Sequence, residues 1–210
     1  MNFFRTLIGI ASIAIASAAA ADAAYPDKPI RIIMPFAPGG GGDLVLRSLS
    51  DKLGQRLGQA VVIDNKPGAS GFIGAQMVAK APPDGYTLLM GFDGSLVTAT
   101  QLIKPPFDPM ADFTPVTKLA DAPLVLVAHS SVKENDIPGL IAYSKTLPGG
   151  LSYGSAGRGT THHMVGELLA LKTGMHLTHV AYKGGGQAVS DASAGQVPLL
   201  VTVIPTAAGF

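Results

Sequence analysis

Apolar residues come in short continuous runs separated by amphipathic stretches, and the alternation starts early in the chain. Residues 30–35, Ile-Arg-Ile-Ile-Met-Pro, are almost wholly apolar, the pattern of a strand buried on both faces of a parallel sheet. Leu44, Leu46, Leu49, Leu53 and Leu57 then recur with helical spacing, which predicts a helix over 43–57 ended by Gly58. The same rhythm predicts a strand over 60–64, a helix over 72–80, a strand over 87–91 and a short helix within 94–103. A proline-dense stretch at 104–109 is irregular, and strands are expected over 113–118 and 123–128. The alternation then restarts: helix 137–145, strand 151–154, helix 161–173, strand 177–181, helix 187–194, strand 197–203. Strands alternating with helices imply parallel α/β sheets. The restart implies two lobes, lobe one over 24–122 and lobe two over 123–210.

The first 23 residues read as a signal peptide. Arg5 supplies the positive end, residues 7–16 form an apolar stretch too short to span a bilayer, and Ala21-Asp22-Ala23 fits the small-x-small cleavage pattern. The mature chain is therefore expected outside the cytoplasm, in the periplasm. It has no cysteine, so no disulfide supports it and the core must carry its stability. A net charge of +1 excludes a broad basic footprint for nucleic acid. The 26 glycines and 16 prolines mark tight connections rather than disorder, because 47% of residues are apolar.

Chemistry gathers where strands run into helices. Gly39-Gly40-Gly41-Gly42-Asp43 follows the first strand. With no Cβ in the turn, free amides can converge on one point just ahead of a positive helix end, a site suited to an anion. It matches neither the dinucleotide fingerprint, since the position five after Gly39 is Leu44, nor a P-loop, since Gly42 is followed by Asp43 rather than Lys. A plain structural turn is the competing reading of this glycine run, and Asp43 fits as a helix cap that occupies some of the amides.

The second junction, Tyr153-Gly154-Ser155-Ala156-Gly157-Arg158-Gly159-Thr160-Thr161, adds the hydroxyls of Ser155, Thr160 and Thr161. Neutral donors of this kind form charge-assisted bonds to a carboxylate. A nucleophile elbow would need glycine two positions before Ser155, where Tyr153 stands. His162, His163 and Glu167 offer either a weak metal site or an i,i+4 pair between His163 and Glu167. Two further junctions lie at Asn65 to Gly74 and at His179-Val180-Ala181-Tyr182-Lys183-Gly184-Gly185-Gly186. Ligands of α/β sheets bind at the carboxyl ends of strands, where all four fall.

Taken together these residues resemble one family closely, the exported solute receptors of tripartite tricarboxylate transporters, often called Bug receptors. The matching pieces include Tyr25-Pro26-Asp27-Lys28-Pro29, Pro35-Phe36-Ala37-Pro38-Gly39-Gly40, Asp64-Asn65-Lys66-Pro67-Gly68-Ala69, Pro83-Asp84-Gly85-Tyr86, Tyr153-Gly154-Ser155 and Tyr182-Lys183-Gly184. The resemblance implies a two-lobed, Venus-flytrap periplasmic-binding-protein fold that holds a small carboxylate between its lobes. Dicarboxylates, tricarboxylates, amino acids and aromatic acids are the ligand classes it suggests. It implicates Phe36, Ala37, Gly39, Gly40, Gly68, Ala69 and Ser70 in lobe one, with Asp43 and, from the glycine run, Gly41. In lobe two it implicates Ser155, Gly157, Gly159, Thr160, His163, Lys183 and Gly184. The first turn and the Tyr-Gly-Ser turn are expected to face each other across the ligand, with a hinge strand near Pro123.

Delivery to a pair of membrane permease subunits follows from the same resemblance, with the receptor a monomer and no cofactor, metal or catalysis involved. Gly42 departs from the Thr or Ser common at its position in the family. The family chain also continues further, so this sequence reads as truncated at its C-terminus, with the strand over 197–203 left at an apolar sheet edge. The competing functional classes are an exported α/β hydrolase using Ser155 with His163, and a sensing module for a signalling kinase.

Overall fold

The computed structural model describes residues 24–208. The signal peptide expected over 1–23 lies outside the described residues. Lobe one is built on a three-stranded parallel sheet of order β2-β1-β3, with β1 Ile30–Met34, β2 Val61–Asn65 and β3 Thr87–Leu89. In β1 only Arg31 is exposed, because this strand has a partner on each side and a layer over each face. Ile32 pairs with Ile63 and with Leu88.

One face is covered by α1, Gly41–Leu57, whose Leu46 joins Ile32, Met34 and Phe36 in a buried cluster. The other is covered by α2, Phe72–Ala79, and α3, Ala99–Leu102, where Phe72, Ala75 and Ala99 meet Phe107. Gly58 ends α1 in the left-handed conformation, φ 69°, as its position predicts.

Lobe two is a four-stranded sheet of order β4-β7-β5-β6. Its strands are β4 Leu124–Ala128, β5 Leu151–Ser155, β6 Leu177–Ala181 and β7 Leu199–Val203. Helices α4, Ile137–Thr146, and α5, Thr161–Thr173, lie on one face, and α6, Gly185–Ser193, on the other. A short helix, α7 Ile204–Ala207, follows β7 and packs on α1.

Three expectations need correction. The stretch over 113–118 is not a strand: it has no ladder partner, Pro115 lacks an amide donor, and only Phe113 is anchored, edge-on against Phe107 at 5.5 Å. Lobe two is mixed rather than wholly parallel, since β4 runs antiparallel to β7. Finally, β7 is not an edge. It lies between β4 and β5 with Leu199, Leu200 and Val201 at most 1% exposed, so its apolar run is that of an interior strand.

Candidate ligand site at the seam between the two sheets

The carboxyl ends of β1 and β2 face those of β5 and β6 across one seam, and the junctions after these strands touch. The Ala37 amide donates to the Lys183 carbonyl at 3.0 Å. The Ser70 hydroxyl donates to the Arg158 carbonyl, and the Thr98 hydroxyl donates to the Gly159 carbonyl at 2.8 Å. The turn at Ala37–Gly40 is thus opposed by Lys183–Gly186. The turn at Ser155–Thr160 is opposed by Ser70 and by the helical segment from Gly94 to Ala99. The expected facing of the first turn and the Tyr-Gly-Ser turn gives way to this staggered pairing.

Asp43 braces the first turn from inside. Its carboxylate, 2% exposed, accepts from the Gly39 amide at 3.0 Å, from Arg47 at 2.9 and 3.2 Å, and from Asn65 at 3.0 Å. Asn65 also donates to the Phe36 carbonyl at 3.1 Å. Burial by itself would raise the Asp43 pKa, but the bonds from Arg47, Gly39 and Asn65 outweigh it and hold the carboxyl below its ordinary value. The carboxylate faces these partners and not the seam, so Asp43 positions the turn instead of offering itself to a ligand.

Gly39 adopts φ 85°, where a side chain is strained. The Gly40, Gly41 and Gly42 amides have no acceptor among the described residues. A Cβ on Gly41 would drive into the Val203 side chain, and one on Gly42 into the Phe92 ring. The glycine run is therefore demanded by packing as well as by bare amides.

In the second junction Ala69 and Ser70 both sit at positive φ, 46° and 55°. Two successive non-glycine residues in that region cost on the order of 1 kcal/mol each and persist only where the surroundings impose them. Here the Ser70 bond to Arg158 crosses the seam. Gly68, at φ 131°, precedes them.

Lobe two holds its turn through a chain of side chains. The Thr160 hydroxyl, 2% exposed, donates to the Gly157 carbonyl at 2.7 Å and caps α5. Ser155 is fully buried; its Oγ lies 2.6 Å from His179 Nε2 and accepts from the Gly157 amide at 3.1 Å. The His179 ring stacks on His163 at 4.0 Å. His163 Nδ1 accepts from the Gly159 amide at 3.1 Å, which leaves Nε2 to carry the proton, 3.7 Å from Glu167.

Burial, and next the neighbouring His163, push the His179 pKa down to about 4; burial pushes His163 down as well. His162 is lowered to about 4 by burial, against the opposing pull of Asp93. All three rings are neutral at pH 7. Lys183 presents its carbonyl to the other lobe while its side chain is exposed.

His179, Thr98 and Gly94 complete the seam; the sequence marks His179 only as the residue that opens the last junction, not as a site residue, and marks neither Thr98 nor Gly94. His179 had a legible signal in its place on the strand that precedes the last glycine turn, whereas its position beside Tyr153 comes from the register of β5 and β6 in the fold. Gly94 had none, because its need for no side chain comes from Thr160 and Thr161 of the opposite lobe.

Residues 45–210 match the model of the tripartite tricarboxylate transporter family receptor. The chain belongs to that family. It is 40% identical over 199 residues to a protein from the tcbD-tcbE intergenic region of Pseudomonas sp. strain P51, covering 94% of this chain and 59% of the relative. It is 37% identical to BugT of Bordetella pertussis, covering 98% of this chain and 64% of the relative. The chain therefore spans about three-fifths of the length of these curated relatives.

Among solved structures, an adipate-bound R. palustris protein superposes with a TM-score of 0.83 at 35% identity, over 87% of this chain and 62% of its own. MatC from Rhodopseudomonas palustris, with bound malate, also gives 0.83, at 32% identity over 88% and 63%. The fold is the two-lobed periplasmic-binding-protein fold of this receptor family, whose members are periplasmic solute-binding receptors.

Proposed function

We propose that this chain is the receptor part of a solute-uptake system, closing two lobes on a small carboxylate and passing it to membrane permease subunits. The observation that carries the reading is the convergence of both sheets' carboxyl ends on a seam of main-chain amides and neutral hydroxyls. A carboxylate bound by neutral donors needs no buried cation, and each bond strengthens as closure removes water. The adipate and malate of two solved relatives belong to the same ligand class. Residues 1–23 serve as the export signal, which puts the receptor where it can meet solutes before they cross the inner membrane. The Gly40, Gly41 and Gly42 amides, which have no acceptor among the described residues, are the donors offered at the seam, while Phe36, Ala37, Ser70, Gly157, Gly159, Thr160 and His163 shape the opposing turns through the bonds they already make and Gly184 packs against Ala37.

Catalysis is not part of this reading. The Ser155 hydroxyl is inside the protein and bonded to His179, and a nucleophile must reach its substrate. Titration calorimetry with mono-, di- and tricarboxylates is the deciding experiment. Micromolar or tighter binding of at least one acid, with the acid recovered unchanged, supports the receptor. Ester cleavage that disappears in Ser155→Ala overturns it in favour of a hydrolase.

A further inference from the structure

We propose that residues 94–99 of lobe one and 158–161 of lobe two form a balanced latch, which sets the fraction of the receptor that stands closed before any ligand arrives. The Thr98 hydroxyl favours closure and the Thr161 hydroxyl opposes it. The inference rests on the receptor reading for its purpose, and it gives opposite roles to two residues outside the ligand-holding set named above.

The two backbones meet without side chains between them. A Cβ on Gly159, which stands at φ 81°, would lie 3.1 Å from the Cα of Ala99, and one on Gly94 would lie 3.1 Å from the Thr161 amide nitrogen. Each glycine is thus required by the opposite lobe. Ala99, between them, is fully buried. Surfaces packed this closely are either docked or parted, because a partial separation loses the contacts without admitting water.

Thr98 has an acceptor in either state. Its hydroxyl lies 2.8 Å from the Gly159 carbonyl across the seam and 3.1 Å from the Gly94 carbonyl of its own helical turn. When the lobes part, the proton returns to Gly94 and the Gly159 carbonyl takes up water. Beside it the Ser70 hydroxyl donates to the Arg158 carbonyl, so lobe one holds two successive carbonyls of the lobe-two turn. Bonds exchanged with water in this way bias an equilibrium by only a few-fold each.

Thr161 works in the other direction. Its Oγ1 is buried and has no hydrogen-bond partner, and the Gly94 backbone covers it: a Cβ there would come within 3.3 Å of that oxygen. The adjacent Thr160 hydroxyl, by contrast, is satisfied by the Gly157 carbonyl at 2.7 Å. A buried hydroxyl without a partner costs as much as a single bond contributes, or more. Parting the lobes returns water to Thr161, so closure is held incompletely and a ligand bound between the lobes can shift it.

The test is made without ligand. The chain has no cysteine, so Lys52→Cys and Lys172→Cys, at exposed positions on α1 and α5, place one spin label in each lobe. Double electron–electron resonance then reads the interlobe distance. The labelled parent chain should show a shorter and a longer distance. Thr98→Val should lower the ratio of closed to open by about fivefold, and Thr98→Ser should restore it. Thr161→Val should raise the same ratio by about fivefold or more, since valine fills the space and has no hydroxyl to bury. Opposite shifts, with serine rescue, support the latch. Identical distance distributions in all the chains overturn it, and so does a shift of the same sign in both valine variants, which marks general loosening of the seam. A lower melting temperature in Thr98→Val that serine does not restore overturns it too, by making Thr98 structural. Malate, adipate and citrate are titrated separately into the parent chain: if none binds, the receptor reading falls, while the ligand-free distances still decide the latch.

Discussion

Asp43 and His179 do their work by holding other groups in place. Asp43 joins the first turn, α1 and the end of β2 through four bonds made by a buried carboxylate. Asp43→Ala should cost about 1–3 kcal/mol, because the Gly39 amide and Asn65 lose their acceptor; urea unfolding measures it. Since the folded pKa of Asp43 is depressed, its contribution is present above the unfolded value near 3.8 and is lost as pH falls through the lower folded value. The histidines act in a different window. His179 and His162 titrate near 4 in the fold and near 6.5 when unfolded. Between those values the unfolded chain binds more protons, so stability is full above pH 6.5 and drains away as pH falls toward 4. Melting curves from pH 7.5 to 4.5 should show a falling midpoint, and His179→Gln should flatten that slope.

At the scale of elements, close approach decides which glycines matter. Gly166 lets α5 lie against β5: a Cβ there would strike the Tyr153 ring, which is fully buried and has nowhere to go. Alanine at 166 gains helix propensity of up to about 1 kcal/mol, but overpacking a rigid core costs about 1–3 kcal/mol. We expect Gly166→Ala to be destabilising on balance in thermal or urea melts. Gly149 has open space around it, and Gly149→Ala should leave the melting temperature unchanged. The helices and strands themselves were readable because periodicity is a local property: α5 and β6 fall on the residues their pattern marks, 161–173 and 177–181. The stretch over 113–118 misled for the same reason, since a strand also needs a partner that no local pattern supplies.

At the scale of the whole molecule, the lobes meet at the seam through turns and helix ends, so closure should be adjustable from there. A Cβ on Gly186 would press into the Pro38 carbonyl of the other lobe, while position 186, inside α6, tolerates alanine. Gly186→Ala should therefore keep its melting temperature, raise the radius of gyration seen by small-angle scattering, and weaken carboxylate binding at least tenfold. An unaltered radius and affinity would show that this contact does not govern closure.

The chain's own order of residues was enough to specify an α/β architecture in two lobes, four glycine-rich junctions at strand ends, and kinship with a receptor family. Hydrophobic period and turn chemistry act within a few residues and can be read directly. Which junction faces which could not be read that way. The pairing of Ala37 with Lys183, the burial of Ser155 against His179, the inward turn of Asp43 and the meeting of Thr206 with Gly41 all join residues far apart in the chain. Such contacts depend on how two sheets settle against each other, a free energy summed over the whole core, and they come into being only when the chain has folded.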